Sequence, residues 1–264
     1  MTLFYSIHAQ DPNFHIYLCF GQSNMGGAAR AEAQDSLVDE RLKVMMGMDC
    51  PNINREMGKW YTAVPPLCDC RAGISPADYF GRTLIENLPE EISVGIINIA
   101  VGGCKIELFD KEDYQLYIDV APDWMKGWIK NFGGNPYARL VEMAKLAQKD
   151  GVIKGILMHQ GESNPNDSLW TQKVKEIYDN LIADLNLEPE NIPLLAGELL
   201  QADQNGKCYE FNKFIAQLPE AIPNAHVISS QGCTGLGDGW HFNPEGYRML
   251  GRRYGEKMLS LYKD

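Results

Sequence analysis

Four short clusters of glycine and polar residues interrupt an apolar background: Gly21-Gln22-Ser23-Asn24-Met25, Ala100-Val101-Gly102-Gly103, His159-Gln160-Gly161-Glu162-Ser163-Asn164 and Asp238-Gly239-Trp240-His241. Together they supply the parts for nucleophilic acyl transfer. A serine hydroxyl becomes a nucleophile when a base stands within hydrogen-bond reach, and the base needs an acceptor that fixes its tautomer. Histidine suits that role because its unperturbed pKa of about 6.5 lies near neutrality. Of the five histidines, His8 precedes the first strand-like run, His15 stands at its start and His226 lies within another, which leaves His159 and His241 at strand ends. His241 is the better base, since Asp238 stands three residues before it in a glycine-rich loop, close enough for its carboxylate to approach Nδ1. Taken alone, Asp-x-x-His is more often a local hydrogen-bonded turn.

The charge that develops on an attacked carbonyl oxygen needs preorganised donors, and removing one typically costs about 2.7 to 4 kcal/mol of transition-state stabilisation. The Ser23 N–H, a glycine N–H at 102 or 103 and the Gln160 side-chain amide are the candidates. Ser163 rivals Ser23 as nucleophile, yet neither serine completes the Gly-x-Ser-x-Gly elbow of ordinary α/β-hydrolases.

These clusters need a scaffold that brings them to one place. Residues 15–20, 92–100, 151–159, 192–200 and 225–230 are near-continuous apolar runs rich in Val and Ile, as expected of strands buried on both faces of a parallel sheet. Helices are predicted over 75–88, 136–151, 169–185 and 243–262. Ser75 before Pro76 is an N-cap signal, and Leu140, Val141, Ala144 and Ala147 form one apolar face. Such alternation indicates an α/β fold with right-handed crossovers, in which a ligand site forms beyond the carboxyl ends of the strands. All four clusters fall there. Residues 28–74 and 104–135 lack clear periodicity and read as long loops or insertions, which in a compact domain usually carry function.

The 264-residue chain is long enough to bury roughly three quarters of its unfolded surface in one domain. A net charge of -11 without clustered Lys and Arg argues against a nucleic-acid partner and fits a neutral or weakly charged ligand. No run reaches the roughly 18 apolar residues of a membrane span. Residues 1–14 are set apart as a leader. The patch ending in Ile7-His8-Ala9 resembles the last part of a signal peptide, although a basic start is lacking. The seven cysteines form neither a small-domain disulfide framework nor a zinc site; a bridge from Cys50 to the Cys68/Cys70 pair is compatible with export.

In their order and spacing, the four clusters resemble the SGNH hydrolase superfamily, and within it the carbohydrate acetylesterases of the acetylxylan esterase and sialate O-acetylesterase kind. The Gly-Gln-Ser-Asn-Met block falls on Gly21 to Met25 with Ser23 as nucleophile. The Gly-Gly block places the oxyanion glycine at Gly102. The Gln-Gly-Glu block falls on Gln160 to Glu162, with Gln160 in the place of the oxyanion asparagine, and the closing Asp-x-x-His on Asp238 and His241. Gly26 departs from the pattern, many relatives carrying Glu there.

The resemblance covers residues 15 to about 262. It implies a three-layer α/β/α sandwich of the flavodoxin-like kind with five parallel strands, spanning 15–264 as a single esterase domain. It also implies deacetylation without metal or cofactor, and a secreted or periplasmic bacterial setting. The substrate expected first is acetylated xylan or its oligosaccharides. The second is O-acetylated sialic acid, whose carboxylate calls for an arginine such as Arg71 or Arg30. Glu162 and Trp240 are further candidates for substrate contact. A third reading, a carbohydrate-binding protein without catalysis, would use Trp60, Tyr61, Trp124, Trp128 and Trp240 as sugar platforms.

Overall fold

The apolar run at residues 15–20 becomes the middle of a long strand, β1 (Asp11–Gly21), in the computed structural model, which describes residues 10–262. Ile7-His8-Ala9 lies outside the described residues, and Asp11 to Phe14, read above with the leader, begin β1. Ile16 to Phe20 are at most 1 % exposed. The strand is paired in parallel on both edges, with β4 (Ser93–Ala100) and β5 (Gly151–His159), and covered on both faces, which is why it reads as an unbroken apolar stretch.

Seven strands form the sheet in the order β3-β2-β4-β1-β5-β6-β7, with β2 (Leu42–Met45), β3 (Trp60–Thr62), β6 (Leu194–Gly197) and β7 (Ala225–Ile228) completing it. The five predicted strands are all present. The expectation of a five-stranded parallel sheet is corrected by two additions from the 28–74 stretch: β2 pairs parallel with β4, and β3 closes that edge antiparallel to β2. The sheet is therefore mixed. Strands of four and three residues are too short to show a period of two, and β2 is defined by pairing with residues about fifty positions away.

Helices pack on both faces. Tyr17 meets Phe80 of α2 (Pro76–Asn87) edge-on at 4.8 Å, whereas Phe20, an odd number of residues along β1, meets Phe109 on the opposite face at 5.2 Å. α9 (Pro244–Leu261) packs along α2, while α5 (Pro136–Ala147) and α6 (Trp170–Asp184) lie with the Ile106–Phe109 turn. The starts follow the capping signals. Asn135 Oδ1 accepts the Ala138 N–H and Asn243 Oδ1 the Gly246 N–H, each before a first-turn proline. The remaining helices are short: α1 (Ser23–Gly26), α3 (Tyr114–Val120), α4 (Asp123–Asn131), α7 (Asn212–Ile215) and α8 (Leu218–Ala221). The stretch 104–135, expected as loop, thus carries α3 and α4. A disulfide joins Cys50 to Cys70 across the first insertion.

The cap of α2 is unusual in being fully buried. Asp78 accepts hydrogen bonds from the N–H and Oγ of Ser75, but its other oxygen is buried without a partner. Burial outweighs the Ser75 hydrogen bonds and raises its carboxyl to about 7. A carboxyl with a folded pKa above its unfolded value of about 3.9 binds its proton more tightly in the folded state. Its contribution to stability is therefore greatest below about pH 4 and is lost as pH rises towards 7. Asp78→Asn should remove that slope, at most about 1.4 kcal/mol per pH unit, as read by urea unfolding between pH 4.5 and 7.5. An unchanged pH dependence would show that Asp78 does not titrate in this range.

Candidate active site

Sheet register brings three of the four clusters together. Gly21 at the end of β1 is paired with Ala100 of β4 on one side and His159 of β5 on the other. Ser23 and Gly102 lie two residues, and Gln160 one residue, beyond that line. Gly21 has φ +148°, and a Cβ there would stand 2.1 Å from the His159 carbonyl oxygen, so a side chain at this position would force the strands apart. The chain turns directly into α1, with Ser23 as its first residue.

The fourth cluster arrives on the loop between β7 and α9. His241 Nε2 lies 2.9 Å from Ser23 Oγ, and His241 Nδ1 lies 2.7 Å from Asp238 Oδ2. A proton on Nδ1, given to Asp238, leaves Nε2 as acceptor for the serine hydroxyl. The other Asp238 oxygen accepts the backbone N–H groups of Trp240 and His241, at 2.7 and 2.9 Å. Burial opposes the charge on Asp238, but the His241 ring and these two N–H groups outweigh it and hold the carboxyl down at about 2. His159, the other strand-end histidine, is fully buried, and its Nε2 faces the Glu198 carbonyl rather than Ser23. Ser163 donates its hydroxyl proton to the Gly103 carbonyl.

Asn24, one residue past Ser23, clamps the two halves. Its Nδ2 donates to Glu162 Oε1 and to the Trp240 carbonyl at 2.9 Å; its Oδ1 accepts from the Tyr247 hydroxyl at 2.6 Å and from the Phe242 N–H at 3.4 Å. Trp240 and Phe242 flank His241, so one buried amide next to the serine holds the histidine from both sides.

Gln160 is placed behind the site rather than in it. Its Nε2 lies within hydrogen-bond distance of Gln22 Oε1, the Cys104 carbonyl and Asn164 Oδ1, and its Oε1 accepts from the Trp170 indole. With Oε1 so engaged, the Gln22 amide Nε2 has no acceptor among the described residues, and it is Gln22 rather than Gln160 that lines the cavity beside Ser23. Among the described residues, neither the Ser23 N–H nor the Gly102 N–H has an acceptor. The only hint of Gln22 in the sequence was its adjacency to Ser23.

Two cavities meet at Ser23, and Gly102, Trp128 and His241 line both. The larger, about 680 Å³, is walled by Asp49, Asn52, Asp69, Arg71 and Asn131. The smaller, about 410 Å³, is walled by Trp124, Trp128 and Trp240 with Gln22, Glu162 and Ser163. The two insertions thus build the walls, and the Cys50–Cys70 bridge joins the Asp49–Asn52 wall to the Asp69–Arg71 wall. The Arg71 side chain is in no ion pair among the described residues, and Arg30 shares a neighbouring recess with it. Trp60 and Tyr61 are elsewhere: the Trp60 indole donates to Asp150 and its ring packs on Phe14, while Tyr61 lies under the Arg55 guanidinium.

Removing the clamp tests its role. Asn24→Ala strands Glu162, the Trp240 carbonyl and the Tyr247 hydroxyl, each unsatisfied buried group costing about 1 to 3 kcal/mol. It should lower kcat of ester hydrolysis at least about tenfold, with a fall of several degrees in melting temperature. Unchanged kcat in the folded variant would show that His241 needs no such clamp.

A family model described as carbohydrate esterase, sialic acid-specific acetylesterase, matches residues 13–260. Among solved structures, a protein of Arabidopsis thaliana superposes with a TM-score of 0.70 at 20% identity, covering 96% of this chain and 100% of that one. NanS superposes at 0.65 and 15% identity, covering 95% and 98%. A carbohydrate acetylesterase from Xanthomonas citri superposes at 0.60 and 17% identity, covering 91% of this chain and 55% of that one. At these identities the structural matches show a shared fold. The family model, spanning nearly the whole chain, shows that the protein belongs to the carbohydrate esterases of the sialic acid-specific acetylesterase family, which are carboxylic ester hydrolases.

Proposed function

We propose that the protein is a serine esterase that removes O-acetyl groups from a carboxylate-bearing sugar of the sialic acid kind. The observation that carries the chemistry is the hydrogen-bonded line Ser23–His241–Asp238 at the junction of two cavities. Ser23 Oγ attacks the acetyl carbon while its proton passes to His241 Nε2, and Asp238 balances the charge on the ring. The oxyanion is met by the N–H groups of Ser23 and Gly102 and by Gln22 Nε2, with Gln160 fixing the Gln22 amide. Collapse breaks the bond to the sugar oxygen, which takes the proton from His241. Water then attacks the acetyl-serine, giving its proton to His241, and acetate leaves as Ser23 regains the proton.

Arg71 supports the choice of sugar. A guanidinium without a carboxylate partner, on the wall of the larger cavity, matches the bidentate acceptor geometry of a sugar carboxylate. Neutral xylan, expected first from the overall acidity of the chain, leaves this group unused. The family description points the same way. The Cys50–Cys70 bridge supports an oxidising setting, secreted or periplasmic. Against a purely binding role stands the complete proton-transfer line, which a lectin-like site has no use for.

Acetate release should be faster from O-acetylated sialic acid than from acetylated xylan. Ser23→Ala should lower it at least about a thousandfold, and Arg71→Ala should raise KM for the sialic acid ester about tenfold with little change in kcat. Preference for xylan, or an Arg71→Ala variant with unaltered KM, would reverse the substrate assignment. Retained turnover in folded Ser23→Ala would overturn the mechanism.

A further inference from the structure

An ester carbonyl is planar, and its acyl and alcohol substituents leave it in diverging directions. Ser23 stands where two cavities meet, with Gly102, Trp128 and His241 lining both, so there is space on either side of it for the two substituents of an ester. The larger cavity, with Asp49, Asn52, Arg71 and Asn131, offers hydrogen-bonding groups to a polyhydroxylated alcohol. The smaller one differs in kind. Its walls are the indoles of Trp124, Trp128 and Trp240, which are 56, 40 and 37% exposed. Trp124 and Trp128 meet edge-on at 6.0 Å and lie against the glycine pair: a Cβ on Gly102 would be 2.4 Å from Trp128 and one on Gly103 would be 3.1 Å from Trp124.

Several polar side-chain atoms on this wall are hydrogen-bonded within the protein, whereas Gln22 Nε2 and Glu162 Oε2 are not. Ser163 Oγ donates to the Gly103 carbonyl, Gln22 Oε1 accepts from Gln160 and Glu162 Oε1 accepts from Asn24, while Glu162 Oε2 is buried without a hydrogen-bond partner. The three indoles make most of this wall apolar, which an alkyl chain would pack against. The acetyl methyl group is about the size of one water molecule, roughly 30 Å³ of liquid volume. It would leave most of the 410 Å³ unfilled.

We propose that the tryptophan-walled cavity is an acyl subsite for chains longer than acetyl, of about four to six carbons, so that the protein hydrolyses longer acyl esters at the same serine. The inference rests on Ser23 being the nucleophile. The cycle balances as for acetate: the Ser23 Oγ–acyl carbon bond forms as the acyl carbon–alcohol oxygen bond breaks, and the proton moves through His241 to the alcohol. Water then replaces the serine on the acyl carbon, and a carboxylate and a proton are released.

The test is the acyl-length profile of the full chain on 4-nitrophenyl acetate, butyrate and hexanoate, repeated with Trp124→Ala, Trp124→Phe and Ser23→Ala. Each methylene transferred from water to an apolar wall contributes about fourfold. Butyrate carries two more methylenes than acetate, so its kcat/KM should exceed that on acetate by up to about sixteenfold. Trp124→Ala should bring that ratio close to one, and Trp124→Phe should keep most of it. Butyrate and hexanoate cleaved more than tenfold more slowly than acetate, or a ratio that Trp124→Ala does not move, would overturn the acyl subsite. Acetate hydrolysis that survives Ser23→Ala would instead remove the serine mechanism beneath it. Acetate cleavage that depends on Ser23, with butyrate refused, would remove only the subsite.

Discussion

The site depends on one alignment: the last residue of β1 lies level with the last residues of β4 and β5. Gly21 is paired with both Ala100 and His159, and the approach to His159 leaves no room for a side chain. Because the three strands are parallel and in this register, their next residues emerge side by side at one edge of the sheet. The serine, the glycine pair and the glutamine–glutamate block become neighbours although they are about 80 and 140 residues apart in the chain. A slip of one residue would turn Ser23 to the other side of the sheet and part it from His241.

Behind that edge the protein buries an unusual amount of polar chemistry, and most of it is paired. Gln22, Gln160, Asn164 and Trp170 satisfy one another, and Asn164 passes the network on to Glu107 and Asp167, which Lys173 neutralises. Asn24, Glu162 and Tyr247 form a second set. Fully satisfied networks of this kind rigidify a site, since each member has one low-energy arrangement. Among the atoms left unpaired are Glu162 Oε2 and His159 Nδ1, the latter 3.6 Å from Glu162 Oε1.

The walls follow a different logic. They come from stretches outside the alternating strand and helix pattern, and they are fixed by packing against the sheet edge and by a covalent bridge. α4 lays Trp124 and Trp128 on Gly102 and Gly103, where a side chain on either glycine would meet an indole. The Cys50–Cys70 bond ties together the two segments that face the larger cavity, where exposed loops would otherwise move apart. Chemistry and specificity are thus carried by separable parts of the chain.

Much of this was legible in the sequence, because the core strands and long helices are set by local patterning that survives in any tertiary context. The run at 15–20, the capping signal at Ser75, and the pairing of Asp238 with His241 three residues on all rest on short-range geometry. The sequence also marked Ser23 and Gly102 by their place after buried strands, and it marked Cys50 as a bridging partner. It could not reveal β2 and β3, which are too short for periodicity and exist through pairing with distant residues. Nor could it distinguish Gln22 from Gln160 as the amide facing the cavity, since that is decided by which side chain Trp170 and Asn164 hold back. The clamp made by Asn24, the meeting of two cavities at Ser23 and the free Arg71 on the wall of the larger arise only when segments far apart in the chain converge. What the sequence by itself determined is the scaffold and the kind of chemistry, while the tertiary structure decided which side chains face the substrate, because facing depends on non-local packing.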